Sequence, residues 1–174
     1  MTAENLSRNV EELVDIVASA DGEIIGRTRL QKTAYLLFAT GLGAQQFRFR
    51  YRHYGPFSEN LASTSDVSKL FGSLREEQQS SSWGGTYSVY RTDAAPKCEQ
   101  DSARVRLVKI AKSANPIDLE LAATSVFLAL EGHVEPWGET AARKPDKAAR
   151  IENAKSLYRE LLTVKAPREL PSIV

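Results

Sequence analysis

The chain has 174 residues, is 42% hydrophobic and 26% charged, and carries a formal net charge of +1. Those totals describe a single domain over 1–174 with a real core, and they exclude a disordered chain and a general polyanion binder, although a neutral total can hide a local basic patch. One cysteine, Cys98, excludes an internal disulfide framework. Together with an N-terminus that holds acids and no apolar run, it points to a reducing cytoplasm. The longest apolar-rich segment, 119–130, is too short to span a bilayer, so no membrane role is expected.

Taken in chain order, the first periodic segment predicts a helix over 5–20, with Leu6, Val10, Leu13, Val14 and Val17 on one face and Asp21-Gly22 ending it. A second helix opens at Thr28-Arg29-Leu30-Gln31, which has capping-box form. Leu30, Ala34, Leu37 and Phe38 make its stripe, and Gly41 and Gly43 are expected as left-handed caps. Strict alternation then predicts a strand over 47–53, with Phe47, Phe49, Tyr51 and His53 facing inward and Arg48, Arg50 and Arg52 outward. Gly55-Pro56 breaks that strand. Ser58 caps a third helical region through Leu61, Val67, Leu70, Phe71 and Leu74, and the poor helix formers at 63–65 predict a break inside it.

Residues 75–93 read as a hairpin turning at SSSWGG, and 94–100 as a connector between two halves. The second half, 101–164, reads as helix throughout: 102–113, a buried central helix from Asn115-Pro116 to Gly132, a short one at 136–142, and a last one over 146–164. The proline-containing tail, 165–174, is expected to fray or lie along the surface. The fold class is therefore mainly α with a small β component (α+β). Residues 1–93 form a winged-helix-like half with an added strand, and a helical half packs on it. In that topology the helix after Ser58 would be the recognition helix and 75–93 the wing.

Chemistry-bearing motifs are sparse. His53, His133 and Cys98 are far apart in sequence and no CxxC, HxxxH or HExxH occurs, so neither a metal nor any other cofactor is expected. No nucleophile elbow surrounds a serine, and Cys98 reads as an incidental surface residue, so no catalytic residue is assigned. His53 reads as a hydrogen-bonded core histidine. GLG at 41–43 follows a helix and is no phosphate cradle.

Arg27 and Arg29 at a helix N-terminus oppose the macrodipole and need an acid of this chain, such as Glu23, or an external anion. Arg48, Arg50, Arg52 and Arg91 could be solvated, paired internally, or set against phosphates. The helix after Ser58, with Lys69 against Glu59 and Asp66, is a poor groove reader. Trp83 and Trp137 sit beside glycines, where each could plug a core edge or anchor a partner.

The segments GRTRLQKTAYLLFATGL and YRHYGPFSENL resemble YwgA-like proteins and, more distantly, the Panacea-domain (SocA-like, GepA-like) proteins of bacteria and phages. Leu30, Gln31, Lys32, Tyr35, Tyr54, Gly55, Pro56, Ser58 and Leu61 match that pattern. The resemblance covers about 24–93, and more weakly 118–162, with departures at Thr33-Ala34 and at 63–65. It implies a non-enzymatic protein-interaction module. Such proteins act as antitoxins or adaptors of toxin–antitoxin or phage-defence systems, and the family offers no catalytic residue to carry over. The expected partner-binding residues are Tyr54, Phe57, Trp83, Arg27 and Arg29. The alternative is a winged-helix DNA- or RNA-binding regulator using Arg48, Arg50, Arg52 and Arg91. A homodimer is compatible with a module of this size.

Overall fold

In the computed structural model, residues 2–174 are described, and they form seven α-helices and five short strands. The first half contains α1 (Ala3–Ser19), β1 (Glu23–Ile25), α2 (Arg27–Thr40), β2 (Arg50–Arg52), β3 (Gly55–Phe57), α3 (Glu59–Leu70), β4 (Arg75–Ser80) and β5 (Thr86–Arg91). The second half contains α4 (Ala103–Ser113), α5 (Pro116–Leu130), α6 (Pro136–Arg143), a 3-10 turn (Pro145–Arg150) and α7 (Ile151–Leu162). The chain is mainly helical with small antiparallel sheets, an α+β fold. No helix among the described residues is long and apolar enough to cross a membrane.

Two sheets flank the helices. One is three-stranded in the order β1-β5-β4, all antiparallel, and the other is the β2–β3 hairpin. Strand β1 is absent from the sequence reading. Three residues between Gly22 and Gly26 are too few to show a period. In the structure they take the outer place beside β5, with Ile24 buried opposite Tyr90.

The core is continuous through both halves. Helix α5 lies at its centre, with Leu119, Leu121, Ala122, Ala123 and Val126 buried all round it. It packs on α2, α6, α7 and β3. Asn115 caps it and Pro116 sits in its first turn, as the sequence predicts. Ser58 and Ser102 likewise cap α3 and α4, accepting from Leu61 N and Val105 N at 3.3 Å each.

Several expectations change. The capping box at 28–31 does not form: Gly26, at φ 97°, precedes α2 and no side chain caps it. Gly41 is left-handed, at φ 73°, but Gly43 is not, and the positive φ falls on Ala44 instead. The alternating strand contracts to β2, and Gly55-Pro56-Phe57 forms the strand that pairs with it. A proline is tolerated there because the hairpin has two strands and a free edge for the missing donor.

Phe47 is buried and Phe49 and Tyr51 are half-buried, so the aromatic side of the alternation faces inward, while the three arginines face outward. His53 does not follow: it is exposed at the hairpin turn, where the chain reverses before the next inward position. Helix α3 runs unbroken through 63–65. Ser63, Thr64 and Ser68 donate their hydroxyls to carbonyls four residues back at 3.0, 2.7 and 2.8 Å. Its small polar face is what lets it approach α1. Leu70 and Phe71, predicted to be apolar positions of the buried stripe, are exposed.

The last helix is split, with the 3-10 turn over Pro145–Arg150 ahead of α7. The tail takes the second of its two expected forms, lying along the surface without fraying. Tyr158 Oη donates to Pro171 O at 2.6 Å, Trp137 Nε1 to Ile173 O at 2.9 Å, and Arg168 N to Thr40 O at 2.9 Å, while Leu170 is buried. Trp137 is thus a core residue, its ring edge-on to Tyr158 at 5.7 Å.

Gly55 is the tightest point of this architecture. Its φ is +85°, and a Cβ there would overlap the Thr124 hydroxyl of α5. Gly55→Ala is expected to cost about 2–4 kcal/mol by urea unfolding, from left-handed strain plus the collision. A loss under about 1 kcal/mol would show that the hairpin can move off α5.

Candidate interaction surface

The motif residues that carry the resemblance converge on the backbone of 56–58. Gln31 Nε2 donates to Ser58 O at 3.0 Å, and Ser58 N donates to Gln31 Oε1 at 2.8 Å. The side-chain amide therefore imitates a strand neighbour. Lys32 Nζ donates to Pro56 O at 2.8 Å. Leu30 and Leu61 are buried in the core, Tyr35 packs among Phe38, Phe49 and Phe127, and Ser58 caps α3. Gln31 and Lys32 work from adjacent positions of one helix, and Gly55 supplies the close approach to α5. The pattern is a clamp that fixes the β2–β3 hairpin and the start of α3.

Charged groups of the second half complete the clamp from below. Lys144 Nζ donates to His53 O at 2.9 Å and to Glu120 Oε1 at 2.7 Å. Lys147 Nζ reaches both Glu120 oxygens at 2.8 and 3.0 Å, and Arg150 pairs with Asp118 through two bonds of 2.6 and 2.7 Å. Lys32, Glu120 and Lys144 are all buried. Burial pulls the Lys32 ammonium down to about 7, with Lys144 and Lys147 adding to the fall and Glu120 opposing it.

Above this clamp three concavities adjoin. An open depression of about 460 Å³ is lined by Arg52, His53, Tyr54, Phe57 and Glu59. A narrower cleft of about 230 Å³ lies between α2, α3 and the sheet, with Phe57, Arg27, Leu61, Ser65 and Tyr90 in its wall. A groove of about 770 Å³ runs from Ile25, Arg27 and Thr28 to Trp83 and Tyr87. Phe57 borders the first two and Arg27 the last two. Tyr54, Phe57, Arg27 and Trp83 therefore border a row of three adjoining hollows, called the trough below, although they come from different elements. Tyr54 is 56% exposed, with Lys147 Nζ 5.0 Å over its ring, and Trp83 is 83% exposed at the hairpin tip.

The two arginines at the start of α2 part ways. Arg27 lies on the surface, with Nε donating to Ser88 Oγ at 3.2 Å and Nη2 3.3 Å from Glu76 Oε1. Burial would raise the Glu76 carboxyl, but bonds from Lys69, Ser88 and Arg27 outweigh it and hold the group at about 2. Arg29 turns inward and donates to Ile25 O, Ala111 O, Lys112 O and Ala114 O at 2.5–3.0 Å. Its guanidinium closes the C-terminal end of α4 and contacts carbonyls of this chain; the anticipated Glu23 pairs elsewhere.

The remaining basic residues separate in the same way. Arg52 pairs with Glu59, and Arg91 pairs with Glu23 at 2.8 Å and Glu77 at 2.5 Å. Arg48 and Arg50 are exposed and have no acidic partner among the described residues. Arg91 belongs to the three-stranded sheet and the other three to the β2–β3 hairpin and its lead-in. His133 is exposed and Cys98 is half-buried. No group of three His, Cys, Asp or Glu side chains among the described residues is placed to hold a metal ion.

Ile25, Thr28, Thr86 and Ser88 also line the groove and were missed from the sequence, because β1 was missed and without it the sheet has no wall here. The available signal was the short apolar pair Ile24-Ile25 held between two glycines. No family model matches this chain, and no curated protein matches it.

The Lys32 amine sets a pH dependence. Its value is near 10.4 when unfolded and about 7 when folded, so between those values the unfolded chain binds more protons. Stability therefore rises as pH climbs from about 7 towards 10, and the cost of the buried ammonium is present in full below 7. Urea titrations at several pH values from 6 to 9.5 should show wild type gaining on Lys32→Met by a few kcal/mol across this range. Parallel curves would show that the amine titrates near its ordinary value.

Proposed function

We propose that this protein is a non-enzymatic interaction module that binds a partner protein through the trough, in the manner of the antitoxin and adaptor proteins its motifs resemble. The observation that carries the reading is the common face of Tyr54, Phe57, Arg27 and Trp83. Two large aromatic side chains stand exposed there, Tyr54 on the hairpin that the clamp fixes and Trp83 at the tip of the β4–β5 hairpin. Aromatic and arginine side chains around a pre-formed concavity are the usual anchors of a protein interface. The motif residues Gln31, Lys32 and Ser58 are occupied in holding main-chain atoms, which supports a structural role for them.

The alternative, a winged-helix nucleic-acid binder, draws support from the strand order β1-β5-β4 beside α1, α2 and α3, and from the free Arg48 and Arg50. The outward side of α3 weighs against it. Glu59, Ser63 and Asp66 are exposed there, and Lys69 is held by Asp66 and Glu76 at 2.8 and 2.5 Å.

Affinity purification after cross-linking, and co-expression with the product of the adjoining gene, test the proposal. Wild type should retain a specific protein. A Tyr54→Ser, Trp83→Ser double variant should lose it while keeping its unfolding midpoint, since both side chains are largely exposed. Equal retention by the double variant, or no retained protein at all, sinks the reading.

A further inference from the structure

The groove between α2 and the β4–β5 hairpin carries three features that fit one kind of occupant. The first is an open strand edge. Strand β1 covers only Val89–Arg91 of β5, because the chain leaves the sheet at Gly26 to begin α2. Gly26 N donates to Ser88 O at 2.8 Å, which fixes the side to which β5 turns its alternate backbone groups. Both backbone groups of Thr86 therefore face the groove, exposed and with no backbone partner among the described residues; Ser88 N–H turns the same way but belongs to a residue only 3% exposed, so the accessible edge is that of Thr86. The edge stops half-covered and leaves room for an extended chain to continue the line of β1.

The second feature is charge. The groove wall contains Arg27 and Arg29 and no carboxylate. The Arg27 side chain is 71% exposed, and its guanidinium has more donors than its bonds to Ser88 and Glu76 use. The backbone N–H groups of Arg27, Thr28 and Arg29 lack acceptors as well, since no side chain caps α2. Glu76, which holds the other side of Arg27, lies in the adjoining cleft. The third feature is apolar surface along the same line: Ile25 is 47% exposed and Trp83 83%.

From these we infer that the groove binds an extended acidic segment of a partner protein by adding it to the free edge of β5. Its backbone pairs with Thr86, its carboxylates meet Arg27 and the start of α2, and its apolar side chains rest on Ile25 and Trp83. Strand addition gives affinity through the backbone and specificity through alternate side chains. The open edge favours a peptide over phosphates, because a nucleic acid has no backbone groups that continue a sheet. This inference rests on reading the face as a partner surface, and names what enters one part of it.

A fluorescent peptide of alternating Glu and Val tests it by anisotropy and by amide chemical shifts of the labelled protein. Controls are an alternating Lys–Val peptide and a short DNA duplex. The Glu–Val peptide should shift the Thr86 amide. Its affinity should fall roughly tenfold with Arg27→Ala, Trp83→Ala or Thr86→Pro, the last removing an edge donor. Trp83 and Thr86 are exposed, so those two variants stay informative should Arg27→Ala unfold the protein.

Equal binding of the Lys–Val peptide overturns the inference, as does indifference to Thr86→Pro, or duplex DNA shifting the same amide where the peptide does not. A partner lost on Tyr54→Ser but kept by Trp83→Ala and Thr86→Pro would leave the broader interaction reading standing and remove this one.

Discussion

The structure depends on a helix that grips another segment by its main chain. A two-stranded hairpin has too few contacts to hold itself in water. Here Gln31 and Lys32 supply the partners that further strands would supply elsewhere, and they do so at Pro56 and Ser58, where β3 passes into α3. Remove that grip and buried main-chain groups lose their bonds, at a cost of about 1–3 kcal/mol each. The direction of α3, the cap at Ser58, and the presentation of Tyr54 and Phe57 all follow from it.

The grip brings a buried ammonium with it, and the second half of the chain is arranged around that charge. Glu120 sits on the central helix and serves Lys144 and Lys147, while Lys144 also holds His53 O. Buried ion pairs return little net stability, but losing one partner is costly because it leaves a charge unpaired in a poor solvent. The polar layer between α5 and the hairpin thus joins the two halves in a single register. Arg29, one turn earlier in α2, ties that helix to the end of α4.

Much of this was legible in the sequence, for local reasons. Helix periodicity, the caps at Ser58 and Asn115, the turn at SSSWGG and the all-round burial of α5 are readable within a few residues. What escaped depends on distant atoms. The Gln31 amide leaves its capping box because two main-chain groups 27 residues away offer it more than one cap would. Of the weak helix formers at 63–65, Ser63 and Thr64 bond their hydroxyls to carbonyls of the preceding turn, and Thr64 and Ser65 are buried against the rest of the fold, so tertiary packing holds them helical. The prolines of the tail allow fraying or lying along the surface, and the polar ends of Trp137 and Tyr158 hold it in place. Residue types at the trough were readable, with Tyr54, Phe57, Arg27 and Trp83 all picked out, but their common face belongs to the packing of α2, β3 and the sheet. Arg29 illustrates the limit: its helix position favours an anion, and tertiary packing gave it carbonyls.

The two tryptophans have a consequence for anyone observing this molecule in solution. Trp137 is buried with its indole bonded to the tail, whereas Trp83 stands in water at the mouth of the groove. Their emission should differ in wavelength and in access to a soluble quencher. Without any added label, the red-shifted, quenchable component reports on what covers the groove, and the blue-shifted, protected component reports on whether the tail is seated. The chain thus carries two independent optical probes, one for occupancy and one for integrity.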